Sequence, residues 1–200
     1  MKFLKKIIKI KPGEGKMVLT YFFFSFFTIA MGLTAKTAKD AYFLSRFEKS
    51  ILPLMFLAVA IAIAPILGGY TKLAKKLAPK VMFIITTSIF GASFILSQHM
   101  IEGWVIPVIY IWVEIVVAIA LIQYWGFAAE SFQPQQAKRL FGIIAGGGSF
   151  AVMLIGMNLR PFVNAFGTDE LLYLATGFMG LSFIFGLLSM GYMKKEVPQK

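Results

Sequence analysis

Four charged residues lie in stretches of this chain that are otherwise apolar. Glu114 falls near the middle of the apolar run 104–126, where an unpaired acidic side chain costs about 3 kcal/mol on insertion scales. Its carboxyl must therefore be paired, protonated or facing water. Lys36, Lys39 and Asp40 follow the apolar run Phe22–Leu33 on what reads as a continuing helix. Lys36 and Asp40 are four apart, so they share a face and can pair. Lys39 is rotated away from both, which leaves its ammonium freer to meet something else. The structural alternatives are a carboxyl that locks helix packing and lysines that snorkel to the outer headgroups. The chemical reading is a cationic receptor for an anionic solute, with Glu114 facing the same cavity as counter-charge when the site is empty. Arg46 and Lys49 read as interface anchors.

Other chemistries lack their residues. The chain has no cysteine and one histidine, His99, so thiol nucleophiles, Cys-ligated metals and multi-histidine sites are out. Glu114, Glu130 and His99 have no spacing that resembles a catalytic set, and the expectation is a protein that is not an enzyme and uses no metal or cofactor. The glycines Gly142, Gly146, Gly147, Gly148 and Gly156 are not followed by the Lys-Ser/Thr of a phosphate-cradling loop. Their spacing is that of helices whose backbones touch, with Gly142-x-x-x-Gly146 as the small-residue motif.

The elements that position these residues are membrane helices. Of 200 residues, 58% are apolar and 14% charged, against roughly a quarter charged in a soluble domain. With about 20 residues needed to cross the hydrocarbon, six runs are long enough: 17–37, 51–70, 81–98, 104–126, 140–160 and 171–192. Pro53 and Pro65 in the second and Pro107 in the fourth are expected to kink those helices. Six spans put both ends on one side. The polar segments on that side hold 15 Lys and Arg and those on the other hold 5, so the positive-inside rule makes both termini cytoplasmic. The net charge of +11 is then a matter of topology, and no nucleic-acid partner is expected. The organisation reads as a basic cytoplasmic segment 1–16, a six-helix domain 17–192 and a cytoplasmic tail 193–200. Residues 2–10 alternate lysines with apolar residues at helical spacing, as in a short helix lying on anionic headgroups.

Several of these segments together resemble a known family. Ala38-Lys39-Asp40-Ala41, then Tyr70-Thr71-Lys72-Leu73, then Glu114, Tyr124-Trp125-Gly126-Phe127-Ala128-Ala129-Glu130 and Ala137-Lys138-Arg139-Leu140-Phe141-Gly142 resemble, in order and membrane position, segments of the ATP/ADP translocases, nucleotide transporters related to the major facilitator superfamily. Ala129 stands where the family usually has Asn, Tyr124 where it has Phe, and Leu140-Phe141 where it has Phe-Tyr. Members have about twelve spans, so the resemblance covers an N-terminal half. It implies an all-α bundle like one half of a major facilitator transporter, with the nucleotide-contacting lysine carried onto Lys39 and the buried acid onto Glu114. It also implies a cavity closed by a second six-helix half, either another copy or a separate chain.

The function expected on these grounds is that of a half-size or fragmentary nucleotide carrier working by alternating access in the bacterial cytoplasmic membrane. The alternatives are a carrier of the same fold for another organic anion and a non-transporting membrane subunit or sensor anchor. Because the chain has no cysteine, single introduced cysteines report topology directly. Labelling should place Lys72–Lys80 and Lys200 inside and Gly103 and Asp169 outside, and Lys200 outside would break the six-span topology.

Overall fold

The structure, a computed structural model, describes residues 10–100 and 103–193. The expected headgroup helix over residues 2–10 and most of the tail 193–200 lie outside the described residues. Six helices follow one another: α1 Gly15–Arg46, α2 Leu52–Ala74, α3 Pro79–Gln98, α4 Val105–Ser131, α5 Pro134–Phe166 and α6 Glu170–Ser189, with single 3-10 turns at Lys49–Ile51 and Met190–Tyr192. All six are long and apolar enough to cross a membrane, and no strand occurs among the described residues. The chain is an all-helical, multi-pass membrane protein.

The apolar runs predict where the helices lie but understate two of them. α1 has 32 residues and α5 has 33, each roughly 48–50 Å long at 1.5 Å per residue, against about 30 Å of hydrocarbon. Hence α1 continues through Lys36, Lys39 and Asp40 to Arg46, as the sequence implies. The prolines correct one expectation. Pro53 and Pro107 fall in the first turns of α2 and α4, where the missing N–H has no helical partner to lose. Pro65 is interior to α2, and Pro161, not singled out beforehand, is interior to α5.

α1 is the hub. It packs along α4, α5 and α6, while α2 leans on α4 and α3 leans on α6. Tyr21, Phe24, Ala30, Met31, Ala35, Ala38 and Phe43 are buried along its length. Aromatic edges lock the basic end: the Phe24 ring stands 5.2 Å from Tyr124 at 76° and 6.0 Å from Phe83 at 85°, the edge-to-face geometry that the ring quadrupole favours. The Tyr21 hydroxyl donates to the Phe127 carbonyl at 3.0 Å and lies 2.6 Å from Ser131 Oγ, tying α1 to α4. Thr28 pairs with Ser182 at 2.8 Å and Gln123 donates to Thr86 at 2.6 Å. Each such bond between membrane helices contributes about 0.6 kcal/mol on average, so they fix orientation more than stability.

The glycines divide in a way their spacing does not show. A Cβ at Gly147 would run into the Phe22 carbonyl, and one at Gly148 would meet Ile29 Cγ1 at 2.9 Å and Ser25 Oγ at 3.1 Å. These two let α5 lie against α1. A Cβ at Gly142, Gly146 or Gly156 would meet nothing within 4 Å, so the Gly142-x-x-x-Gly146 pair makes no helix contact within this chain, contrary to the expectation. Gly186, unremarked in the sequence, does make one: its missing Cβ admits the Phe83 ring of α3 against α6. Accordingly, Gly147→Ala should lower thermal stability in detergent by roughly 2 kcal/mol or more through overpacking against backbone. Gly142→Ala and Gly146→Ala should be neutral or mildly stabilising, and equal losses at all three would refute the assignment.

Candidate functional site

The charged cluster is built by two helices crossing. On α1, Lys36, Lys39 and Asp40 occupy a little over one turn. On α4, Tyr110 and Glu114 are one turn apart. Packing α1 on α4 sets Glu114 between the two lysines: Lys36 Nζ is 2.8 Å from Glu114 Oε2, and Lys39 Nζ is 3.2 Å from Oε1. Lys39 Nζ also lies 2.8 Å from Asp40 Oδ1 and 3.4 Å from the centroid of the Tyr110 ring, a cation–π contact. The result is a linear chain of charges, Lys36 to Glu114 to Lys39 to Asp40, neutral in sum.

Two sequence expectations change here. Lys36 and Asp40 share a face but do not pair, because each finds its counter-charge elsewhere: Lys36 reaches across to α4, and Asp40 takes the neighbouring lysine. Lys39 is not the freer cation. Its side chain is 3% exposed, against 42% for Lys36, 50% for Asp40 and 22% for Glu114. The rotation that turns Lys39 away from Lys36 directs it into the α1–α4 seam, onto Tyr110, itself 1% exposed. Glu114 resolves to the first of its three options, a paired carboxyl.

A groove lies on the same helices, apart from the cluster, and none of the four charges lines it. Ser25, Ile29, Tyr124, Trp125, Ser149 and Val152 line a cavity of about 280 Å³ between α1, α4 and α5. By helical rotation, Ile29 of α1 falls on the same side as Lys36 and Leu121 of α4 on the same side as Glu114. The seven residues separating each pair put the groove about 10 Å nearer the basic end. A separate cavity of about 430 Å³ at the opposite end is lined by Tyr42, Arg46, His99, Asp169 and Tyr173 among others. It touches none of the four clustered charges. Arg46 belongs to that end, consistent with its expected place near the interface.

Sequence reasoning missed Tyr110, although its i,i+4 spacing to Glu114 was available as a signal. It also missed Glu14, for which there was no local signal. Arg139 Nη2 lies 2.6 Å from Glu14 Oε1, Gln136 Nε2 donates to the same oxygen at 3.1 Å, and the Lys11 backbone N–H donates to Oε2 at 2.8 Å. This polar clamp joins the start of α1 to the first turns of α5, which carry the Ala137-Lys138-Arg139 motif. The Lys11 N–H and then the Arg139 and Gln136 side chains outweigh burial and hold the Glu14 carboxyl below its ordinary 4.5. Its contribution to stability is therefore present above that value and fades as pH falls through the depressed one. Among the described residues no group of three His, Asp or Glu is placed to hold a metal ion.

Comparison of the chain with family models, with curated proteins and with solved structures gives no match. The translocase resemblance therefore stands on the motif residues quoted above.

The geometry distinguishes the two lysines energetically. Removing one partner from an enclosed ion network strands the others, whereas an exposed pair contributes little. Lys39→Met should cost roughly 2–3 kcal/mol of thermal stability in detergent. Lys36→Met should cost under about 1 kcal/mol. Adding Glu114→Gln to Lys39→Met should recover part of the loss, and strict additivity in that double-mutant cycle would show that the two residues are not coupled.

Proposed function

We propose that this chain is one six-helix half of a secondary carrier of the major facilitator kind. It moves an anionic organic solute, a nucleotide such as ATP or ADP, across the bacterial cytoplasmic membrane by alternating access. The observation that carries the reading is the four-charge network on α1 and α4, whose outer members, Lys36 and Asp40, are 42% and 50% exposed within membrane-spanning helices. Charges exposed on a span must meet water or protein rather than lipid. The face that bears them therefore borders an aqueous cavity, closed on its far side by a second six-helix half, either another copy or a separate chain.

The network is suited to exchange. Glu114 pairs with both lysines. A phosphate group offers more acceptor oxygens than one carboxylate and takes charge-assisted hydrogen bonds from Lys36 and Lys39 as Glu114 is released. Releasing Glu114 loosens the α1–α4 seam, so binding and helix movement share one set of contacts. No covalent step is involved. The groove toward Trp125 gives the rest of the solute a place about 10 Å from the lysines.

Counterflow of labelled ATP, ADP and unrelated anions in proteoliposomes, with and without a candidate second half, tests the proposal. Lys39→Ala should abolish nucleotide exchange, and Lys39→Arg should keep part of it, since charge survives while geometry changes. Glu114→Gln should insert and fold yet lose exchange. Transport unaffected by all three, or indifference to nucleotides and other anions in every combination, would overturn it.

A further inference from the structure

We propose that the cleft between α2 and α3 at the basic end of the bundle is a binding site for an anionic phospholipid. The two helices are joined by a short turn at 75–78, yet they are backed by different partners, α2 by α4 and α3 by α6, with hardly any packing between them. The gap they leave over α4 is a cavity of about 340 Å³, lined by Tyr70, Lys75, Met82, Gly126, Phe127 and Glu130 among others.

The floor of this cleft is open because of one residue. A Cβ at Gly126 would meet nothing within 4 Å, so the glycine deepens the cleft without bringing helices together. Apolar surface leads out of it toward the membrane: Leu73 is 46% exposed and Ile122 is 41% exposed. One lysine, Lys75, lines it, and Lys72, Lys76 and Lys80 are exposed within the same nine residues of chain; Glu130 is the one acid lining the cavity.

An occupant must satisfy both halves of this surface. A free phosphate would use Lys75 and leave the apolar walls bare, and a neutral lipid would fill the walls without using Lys75 or the basic turn around it. A phospholipid with a net negative headgroup satisfies both, its phosphate at the lysines and an acyl chain along Met82 and Phe127. The inference is independent of the transport reading, since Gln123, Gly126 and Glu130 lie on the side of α4 turned away from Glu114.

The test follows thermal unfolding of the full chain in a neutral detergent with added phosphatidylglycerol, phosphatidylcholine or inorganic phosphate. Phosphatidylglycerol at saturation should raise Tm by roughly 3 °C or more, and the other two should do little. Gly126→Leu places a side chain in the cleft from a Cβ position that meets nothing within 4 Å, so it should keep the lipid-free Tm and lose the phosphatidylglycerol response. Lys75→Ala should weaken that response, and mass spectrometry should find less anionic lipid retained on both variants. Equal responses to the two lipids, a response reproduced by phosphate, or a phosphatidylglycerol response that survives both substitutions would overturn the proposal.

Discussion

The sharing of Glu114 between two lysines is the interaction on which the α1–α4 crossing depends. Inside a bilayer a carboxylate without partners costs several times what any single packing contact returns, so the helix that carries it is obliged to seek cations. α1 supplies two, and the crossing of α1 with α4 is set where both can reach the same carboxylate, at 2.8 and 3.2 Å. Asp40 completes the count, so that two positive and two negative groups sit together with no net charge to stabilise. A network of this kind contributes little to stability relative to an apolar seam. In the proposed carrier its value lies in what can replace Glu114.

The rest of α1 makes that crossing possible. Ala30, Gly32, Ala35 and Ala38 are small and buried on the helix, and a Cβ at Gly32 would approach Val117 Cγ1 of α4 to 3.1 Å. Small residues let helices come close enough for dispersion to act where no hydrophobic force separates protein from lipid tails. Gly147 and Gly148 do the same for α5, and Gly186 for α6 against α3. α4, α5 and α6 all pack on α1, and the large aromatics fill what remains: Phe24, Tyr124, Phe83 and Phe127 mesh at the basic end, Phe43 and Tyr110 beside Lys39.

The bundle is uneven in what it leaves uncovered. α2 buries only Met55, and α5 exposes Val152, Met153 and Met157. Gly142, Gly146 and Gly156, where a Cβ would meet nothing within 4 Å among the described residues, lie on the same helix as the exposed residues of α5. The proposal of a second half rests on the charges of Lys36 and Asp40 that α1 leaves exposed, since apolar helix surface alone can face lipid.

Much of this was legible in the residues alone. Hydropathy over runs of about 20 residues locates six spans because the bilayer imposes that length, and the helical reading through Lys36, Lys39 and Asp40 holds because no helix-breaking residue interrupts it. The need of Glu114 for a partner was equally legible, since it follows from dielectric cost alone. What the sequence could not determine was who pairs with whom. Periodicity places residues around their own helix, but it says nothing about how that helix is turned toward its neighbours. An i,i+4 pair such as Lys36 and Asp40 is worth only about 0.2–0.5 kcal/mol and yields to a carboxylate on another helix. For the same reason five glycines that look alike along α5 separate into two that meet α1 and three that do not. Tertiary packing alone decided that Lys39 lies deepest, that Tyr110 caps it, and that Glu14 reaches Arg139, because each depends on the azimuth of one helix against another.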